Sequence, residues 1–372
     1  MPANPRGIGL PKPLKEGPNP TGIDLPIPIK EGHYPSYLES YQNGYLDNVI
    51  NELYGRLKSC SICPRRCGVN RLNDKYGFCK TGLKPRVYSF MSHQGEEPSV
   101  SGTLGSGTIF FSSCNMACVY CQNYEFSQLG QGREVACEEL ARFMLELQEM
   151  NCHNINLVTP THVLPQILKA LKIAIADGLK IPLVYNTGGY ESVEILRLLE
   201  GIVDIYLADM RYGDNDMSLK YSSAPDYPRY NQEALKEMRR QVNPVRNTMQ
   251  INSNTIVSNG VNSDEISEDG IIKRGLIIRH LVLPNNISGT DKVMRFISQE
   301  LSPNSLVSLM SQYLPYHKAG DFSELNRRLT VKEYEDAKEI MEKHGLHNGW
   351  IQESFGSERF AGVNIKSVLK NE

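Results

Sequence analysis

The sequence predicts an α/β fold, a partial (β/α)6 barrel preceded by a metal-binding extension, and three observations carry that prediction. From about residue 107, short apolar runs alternate with amphipathic stretches of helical period, the pattern of buried parallel strands joined by right-handed helical crossovers. Seven of the nine cysteines fall in two tight groups, 60/63/67/79 and 114/118/121, the first ahead of the alternating region and the second inside it. The length, 372 residues, suits one large α/β domain with additions or two ordinary ones.

The elements follow in order. Residues 1–35 hold nine of the 21 prolines, too many missing amide donors for a helix or a central strand, and read as a disordered, extended arm. The arm carries a duplication, GIGLPKPLKEG from Gly7 to Gly17 and GIDLPIPIKEG from Gly22 to Gly32, either a doubled docking peptide or a repeat without function. Residues 36–57 read as a helix and 58–82 as the first cysteine group, so that 36–100 make up the extension. The barrel takes 101–355. Its strands are TIFFSS (108–113), NINLVTP (154–160), IPLVYNT (181–187), VDIYLADM (203–210), LIIRHLVLP (276–284) and SLVSLMSQY (305–313), with a short seventh, GWIQE, after them. Helices are predicted near 136–150, 163–177, 191–200, 230–242, 290–301 and 331–344. Residues 243–270, with six asparagines, four serines and almost no apolar periodicity, read as an exposed, mobile insertion, and 356–372 as a tail.

Net charge is -2 and the pI about 6.5, so no basic excess argues for nucleic acid or an anionic membrane surface as partner. No apolar run approaches the roughly 20 residues that span a bilayer, and the N-terminus lacks the order of a signal peptide, which makes a cytoplasmic location the expectation. An odd number of cysteines at such spacings suits shared metal centres and reduced thiols better than disulfides.

SSCNMACVYCQN places Cys114, Cys118 and Cys121 as C-x3-C-x2-C in the loop leaving the first barrel strand. Three thiolates on so tight a loop can each hold one iron of a cuboidal cluster and leave the fourth iron open to another ligand. Zinc usually recruits paired C-x2-C knuckles or a nearby histidine, and this loop has neither. CNMACVYC resembles the signature of the radical S-adenosylmethionine (SAM) superfamily, C-x3-C-x-aromatic-C, with Tyr120 at the aromatic position. The resemblance implies a [4Fe-4S] cluster that binds SAM and cleaves it with one electron to a 5'-deoxyadenosyl radical, which abstracts hydrogen from a substrate. It also implies a reduced electron donor such as flavodoxin or ferredoxin.

In barrel-like folds the loops after the strands converge on one mouth. The candidates there for SAM contacts are Tyr120 and Asn123 in and beyond the cysteine loop, Thr159 and Thr161 after strand two, Asn186 and Gly188 after strand three, and Asp209 and Arg211 after strand four. Asp209-Met210-Arg211 resembles the Asp-x-Lys of glycyl-radical activating enzymes, with Arg in place of Lys, whereas TPTH (159–162) departs from the family's glycine-rich motif. Arg279 in RHLVLP and His317 in LPYHKAG resemble further positions of the same enzymes. The chain is similar to the pyruvate formate-lyase activating enzyme-like group, in particular to members with an upstream four-cysteine motif.

That motif, CSICPRRCGVNRLNDKYGFC, sets Cys60, Cys63, Cys67 and Cys79 as C-x2-C-x3-C-x11-C, enough thiolates to close a zinc site or to ligate an auxiliary [4Fe-4S] cluster. Arg65 and Arg66 either offset the thiolate charge or are solvated. Cys137 and Cys152 read as core residues. The expected function is hydrogen abstraction from a substrate, possibly a protein; radical modification of a small molecule and a non-catalytic iron-sulfur or zinc protein are the competing readings.

Overall fold

The computed structural model describes residues 35–242, 267 and 270–352. The duplicated arm, the 243–270 insertion apart from Ser267 and Gly270, and the 356–372 tail lie outside the described residues. The chain divides into Met1–His33 and Tyr34–Glu372, and all the described residues belong to the second unit.

The strands are β1 (Arg86–His93), β2 (Ser106–Phe111), β3 (Arg133–Glu134), β4 (Ile155–Val158), β5 (Leu183–Thr187), β6 (Ile205–Asp209), β7 (Gly275–Leu281), β8 (Leu306–Met310) and β9 (Gly349–Ile351). The helices are α1 (Tyr37–Gln42), α2 (Tyr45–Arg56), α3 (Pro98–Ser101), α4 (Tyr124–Ser127), α5 (Cys137–Glu149), α6 (Leu164–Ala176), α7 (Val193–Arg197), α8 (Asn215–Ser222), α9 (Tyr227–Val242), α10 (Thr290–Phe296) and α11 (Val331–Lys343). All strands join one sheet in the order β3-β1-β2-β4-β5-β6-β7-β8-β9. From β2 to β9 every pairing is parallel, while β1 runs antiparallel to β2 and β3 antiparallel to β1. The sheet is open at both edges among the described residues, so the fold is α/β with a mostly parallel sheet and no barrel closure.

Each strand expected from 108 onward is present, trimmed where polar or proline residues leave the ladder for a loop. The expected helix 36–57 is two helices, because the chain turns at Gly44, whose φ of 78° a side chain would disfavour. The reading missed β1: six of its eight side chains are only partly buried, so no continuous apolar run marks it. It also missed the polar α8, and it overextended α7, which is a single short turn and a half.

A two-residue period divides the sheet into two faces. One face presents Ile109, Leu157, Tyr185, Tyr206, Ile278 and Leu309 to a core shared with α2, α5, α6, α9 and α11. Cys60 and Ile62 of the first cysteine group belong to that same core. The other face presents Val184, Ile205, Leu207 and Ile277, and the chain itself fills it with Val100 of α3 and with Ile272. One step further along the same face the residues turn polar: Asn186 on β5, Asp209 on β6 and Arg279 on β7, with Asp209 and Arg279 directly paired across the ladder. An apolar layer thus underlies a charged one at the C-terminal ends of the strands.

Candidate functional site

The cysteine loop leaves β2 through Ser113, whose φ of 76° turns the chain sharply toward Cys114. It is held from both sides by backbone bonds. Ala117 N–H donates to Ser222 O at 2.9 Å and Val119 N–H to Tyr221 O at 2.8 Å, at the end of α8, while Lys318 N–H donates to Val119 O at 2.8 Å. The three sulfurs receive donors of their own: Met116 N–H to Cys114 Sγ (3.3 Å), the Ser222 hydroxyl to Cys118 Sγ (3.0 Å), and Ser127 Oγ beside Cys121 Sγ (3.2 Å). Burial first, and the neighbouring Cys118 second, push the Cys114 and Cys121 thiols up from their ordinary range. Buried thiols of this kind become thiolates when a cation binds them.

Next to the loop lies a cavity of about 570 Å³. Its floor is the charged layer. Arg279 donates through Nε to Asp209 (2.7 Å), through Nη1 to Glu96 (3.3 Å) and through Nη2 to Asn186 (2.5 Å), and Arg211 pairs with the other oxygen of Asp209. Glu96, which follows β1, also accepts from Asn156 (3.1 Å) and Asn186 (3.3 Å). Burial raises Glu96 above its ordinary value, with Arg279 opposing. Burial also works against the charge of Arg211, but Asp209 and then Cys118 outweigh it, and the guanidinium stays ionised. Arg211 therefore joins the two halves of the site: it lines the cavity, and its charge acts on Cys114, Cys118 and Cys121. Its Nε is buried without a partner among the described residues.

Of the residues expected to contact SAM, Asn123, Thr159, Asn186, Gly188, Asp209, Arg211 and Arg279 line this cavity. Thr159 does so with a φ of 60°. Three do not line it. The Tyr120 hydroxyl bonds that of Tyr212 at 2.7 Å, in a tyrosine-rich cluster behind the loop. Thr161 turns away and donates to the buried Glu191, which Thr187 and Tyr185 also contact and which burial lifts to about 7. His317 stacks on Tyr124 at 4.9 Å, beside the cavity wall that Tyr124 and Tyr316 form. Sequence reasoning missed Glu96. Its signal was a glutamate pair just before Pro98, which reads as a loop until the sheet brings it under β4, β5 and β7.

The loop past Gly189 explains why two glycines stand together. Gly189 has a φ of 76°, and a Cβ there would meet the carbonyl oxygen of Asp209. Tyr227 completes this corner, accepting from Arg211 N–H (3.0 Å) and donating to Gly188 O (2.9 Å).

Cys60, Cys63, Cys67 and Cys79 wall a second, small cavity together with Arg65, Arg71 and His162. Burial, partly opposed by a backbone donor, pushes Cys63 up to about 12. Of the two cations expected here, only Arg65 turns inward, with its guanidinium 3.3 Å from the centre of the Phe78 ring; Arg66 is exposed and pairs with Glu194 at 3.0 Å. Cys152 is buried in the core and Cys137 half-buried beside Tyr54. All nine cysteines are free thiols, and among the described residues no three His, Cys, Asp or Glu side chains are gathered tightly enough to hold a single metal ion. None of the described helices is long and apolar enough to cross a membrane.

The family model described as the radical SAM superfamily matches residues 108–269. An uncharacterized protein of Methanocaldococcus jannaschii is 33% identical over 320 residues, 83% of this chain and 82% of its own. Among solved structures, HydG, a maturase of the [FeFe]-hydrogenase, is similar over 64% of this chain and 48% of its own, with 12% identity and a TM-score of 0.40; this chain spans about half of HydG's length. Methylornithine synthase (PylB) is similar over 66% and 63%, with 14% identity and a TM-score of 0.40.

Proposed function

The chain belongs to the radical SAM superfamily, whose members use SAM and a [4Fe-4S] cluster, and from that premise we propose that it generates a 5'-deoxyadenosyl radical to abstract hydrogen from a protein substrate. The observation that carries the reading is the position of C-x3-C-x2-C at the end of β2, joined by Arg211 to a polar cavity.

The donor set fits the cluster: three thiols on one loop, Cys118 buried and Cys114 and Cys121 partly buried, each with an N–H or hydroxyl against its sulfur, and a guanidinium whose charge reaches all three. Cys114, Cys118 and Cys121 would hold it. When bound, the cluster and SAM supply the one-electron cleavage that releases methionine and the radical. The work of the chain is to bind and align. Asp209, paired with Arg211 and Arg279, offers a carboxylate to the amino group of SAM, and the guanidinium of Arg211 offers its free Nε–H to the carboxylate. Asn123, Thr159, Asn186 and the backbone at Gly188 supply the neutral donors and acceptors that orient the nucleoside. The tyrosine cluster behind the loop, with Tyr120 and Tyr212 bonded to each other, keeps water from that side of the cysteines.

The protein substrate rests on the activase-like motifs, Asp209-Met210-Arg211, Arg279 and LPYHKAG, and the electron donor would be a flavodoxin or ferredoxin. Cys60, Cys63, Cys67 and Cys79 are proposed as a second metal centre, zinc or an auxiliary [4Fe-4S] cluster, on the ground that they wall one cavity. The test is anaerobic reconstitution with iron and sulfide, reduction, and measurement of 5'-deoxyadenosine from SAM. Product is expected from the native chain and should fall by about a hundredfold or more in Cys118→Ala. Equal product from that variant, or none from the native chain with its cluster loaded, would refute the mechanism.

A further inference from the structure

Arg71 is 1% exposed, yet no carboxylate pairs with it among the described residues. Its Nε and Nη2 donate to Gly82 O at 3.3 and 3.1 Å, and its Nη1 points at Cys60 Sγ, 3.9 Å away. A guanidinium does not lose its proton in a protein, and burying one without an anion is strongly unfavourable. The anion has to come from the cavity that Arg71 lines, and the only acidic groups on that wall among the described residues are the four thiols.

His162 lines the same cavity and is also 1% exposed. Its Nε2 lies 2.8 Å from Ser112 O; a carbonyl only accepts, so Nε2 carries the proton and Nδ1 a lone pair. That Nδ1 is buried with no partner among the described residues. Two unsatisfied groups of opposite demand, a cation wanting an anion and a lone pair wanting a cation, thus face one small space.

The same wall reaches the other cysteine loop. Arg65 donates through Nε to Asn115 O at 2.8 Å, and His162 holds Ser112 O. These carbonyls lie two residues before Cys114 and one after it, so the second cavity grips the chain on both sides of that cysteine.

We propose that the four-cysteine cavity is an anionic metal–thiolate centre with Arg71 as its built-in counter-ion, and that through Arg65 and His162 it braces the Cys114 loop. The inference rests on the reading of Cys60, Cys63, Cys67 and Cys79 as a second centre and adds its charge partner and its purpose. A dicationic core held by four thiolates is a dianion, and Arg71 and Arg65 are the two cations beside it; the spread of the thiols, too wide for a single ion, favours an iron-sulfur cube, and zinc would have to draw them together.

The test uses the full chain with Cys114, Cys118 and Cys121 replaced by alanine, so that the second cavity alone can hold a metal–thiolate centre. Isolated anaerobically, it should retain about one zinc or about four irons per chain, which separates the two metals. Zinc added to the stripped protein should release about four protons per centre as thiols become thiolates, whereas zinc on surface carboxylates would release none. Arg71→Met should lower retained metal about tenfold or more, with partial recovery in Arg71→Lys. In the otherwise native chain, Cys63→Ala should lose the second metal and also shift the absorbance and electron paramagnetic resonance of the first cluster.

A folded triple variant that binds no metal and releases no protons overturns the centre. Full metal retention in Arg71→Met overturns the counter-ion; if that variant does not fold, the proton count on the triple variant decides. A native first-cluster spectrum in Cys63→Ala overturns the brace. Failure of SAM cleavage in a chain that holds both metals would instead defeat the radical reading and leave the second centre standing.

Discussion

Arg279 is the residue on which the charged floor of the cavity depends. It is paired across the ladder with Asp209 and reaches Glu96 and Asn186, and its side chain is only 15% exposed. Removing one partner of a buried charge network leaves the others uncompensated. Arg279→Met is therefore expected to destabilise the fold by about 3 kcal/mol or more, read from urea denaturation; a loss within the error of the method would mean the network is solvated rather than buried. At this scale the cysteines were legible in the sequence, because a loop that wraps one cluster keeps its ligands within a few residues of one another. Glu96, Arg71 and His162 were not. Glu96 and His162 are brought to their sites by elements remote in sequence, and Arg71, though it lies inside the four-cysteine motif, is one of three arginines there, with nothing in the sequence to mark it as the buried one.

Among the elements, the strands of the parallel sheet were legible and the pieces around them less so. Strands buried on both faces write themselves as apolar runs, whereas β1 at the antiparallel side and the polar α8 leave no such trace. The N-terminal helices show how an element is attached. Asp204, just before β6, accepts from Ser36 N–H at 2.7 Å and from Leu183 N–H at 3.0 Å, which ties the start of α1 to the entrance of β5. Burial raises this carboxyl to about 6, the donors opposing. Between about pH 4 and 6 the folded chain then keeps a proton that the unfolded chain has lost, so stability falls with rising pH across that window, by about 3 kcal/mol for this group. Asp204→Asn should remove that part of the slope. Parallel stability curves for variant and native chain would show that Asp204 is hydrated.

For the whole molecule, the alternation of strands and helices foretold an α/β fold with a mostly parallel sheet, but not that the sheet stays open or how completely the cysteine extension merges with it. Cys60, Ile62 and α2 lie in the same core as α5, α6 and the sheet. The chain has a single tryptophan, Trp350 on β9, at the far edge of the sheet from β1. It packs against the cluster built on Val100, so its fluorescence reports the inner face, while far-UV circular dichroism reports all the helices. The two transitions should coincide in denaturant. Separate midpoints would identify the extension as an independently folding unit.

The segment from Glu96 to Ser101, which fills the inner face of the sheet, also decides how much room is left above it. About 570 Å³ remains. Pockets of roughly 300–1,000 Å³ take one drug-sized molecule, and SAM is of that size. On the function proposed above, a reactant that arrives while SAM is in place would have to reach in with something slender, a single side chain or the bend of a peptide loop. Admission by profile, with the bulk of the second molecule kept outside, follows from where this chain placed six of its own residues.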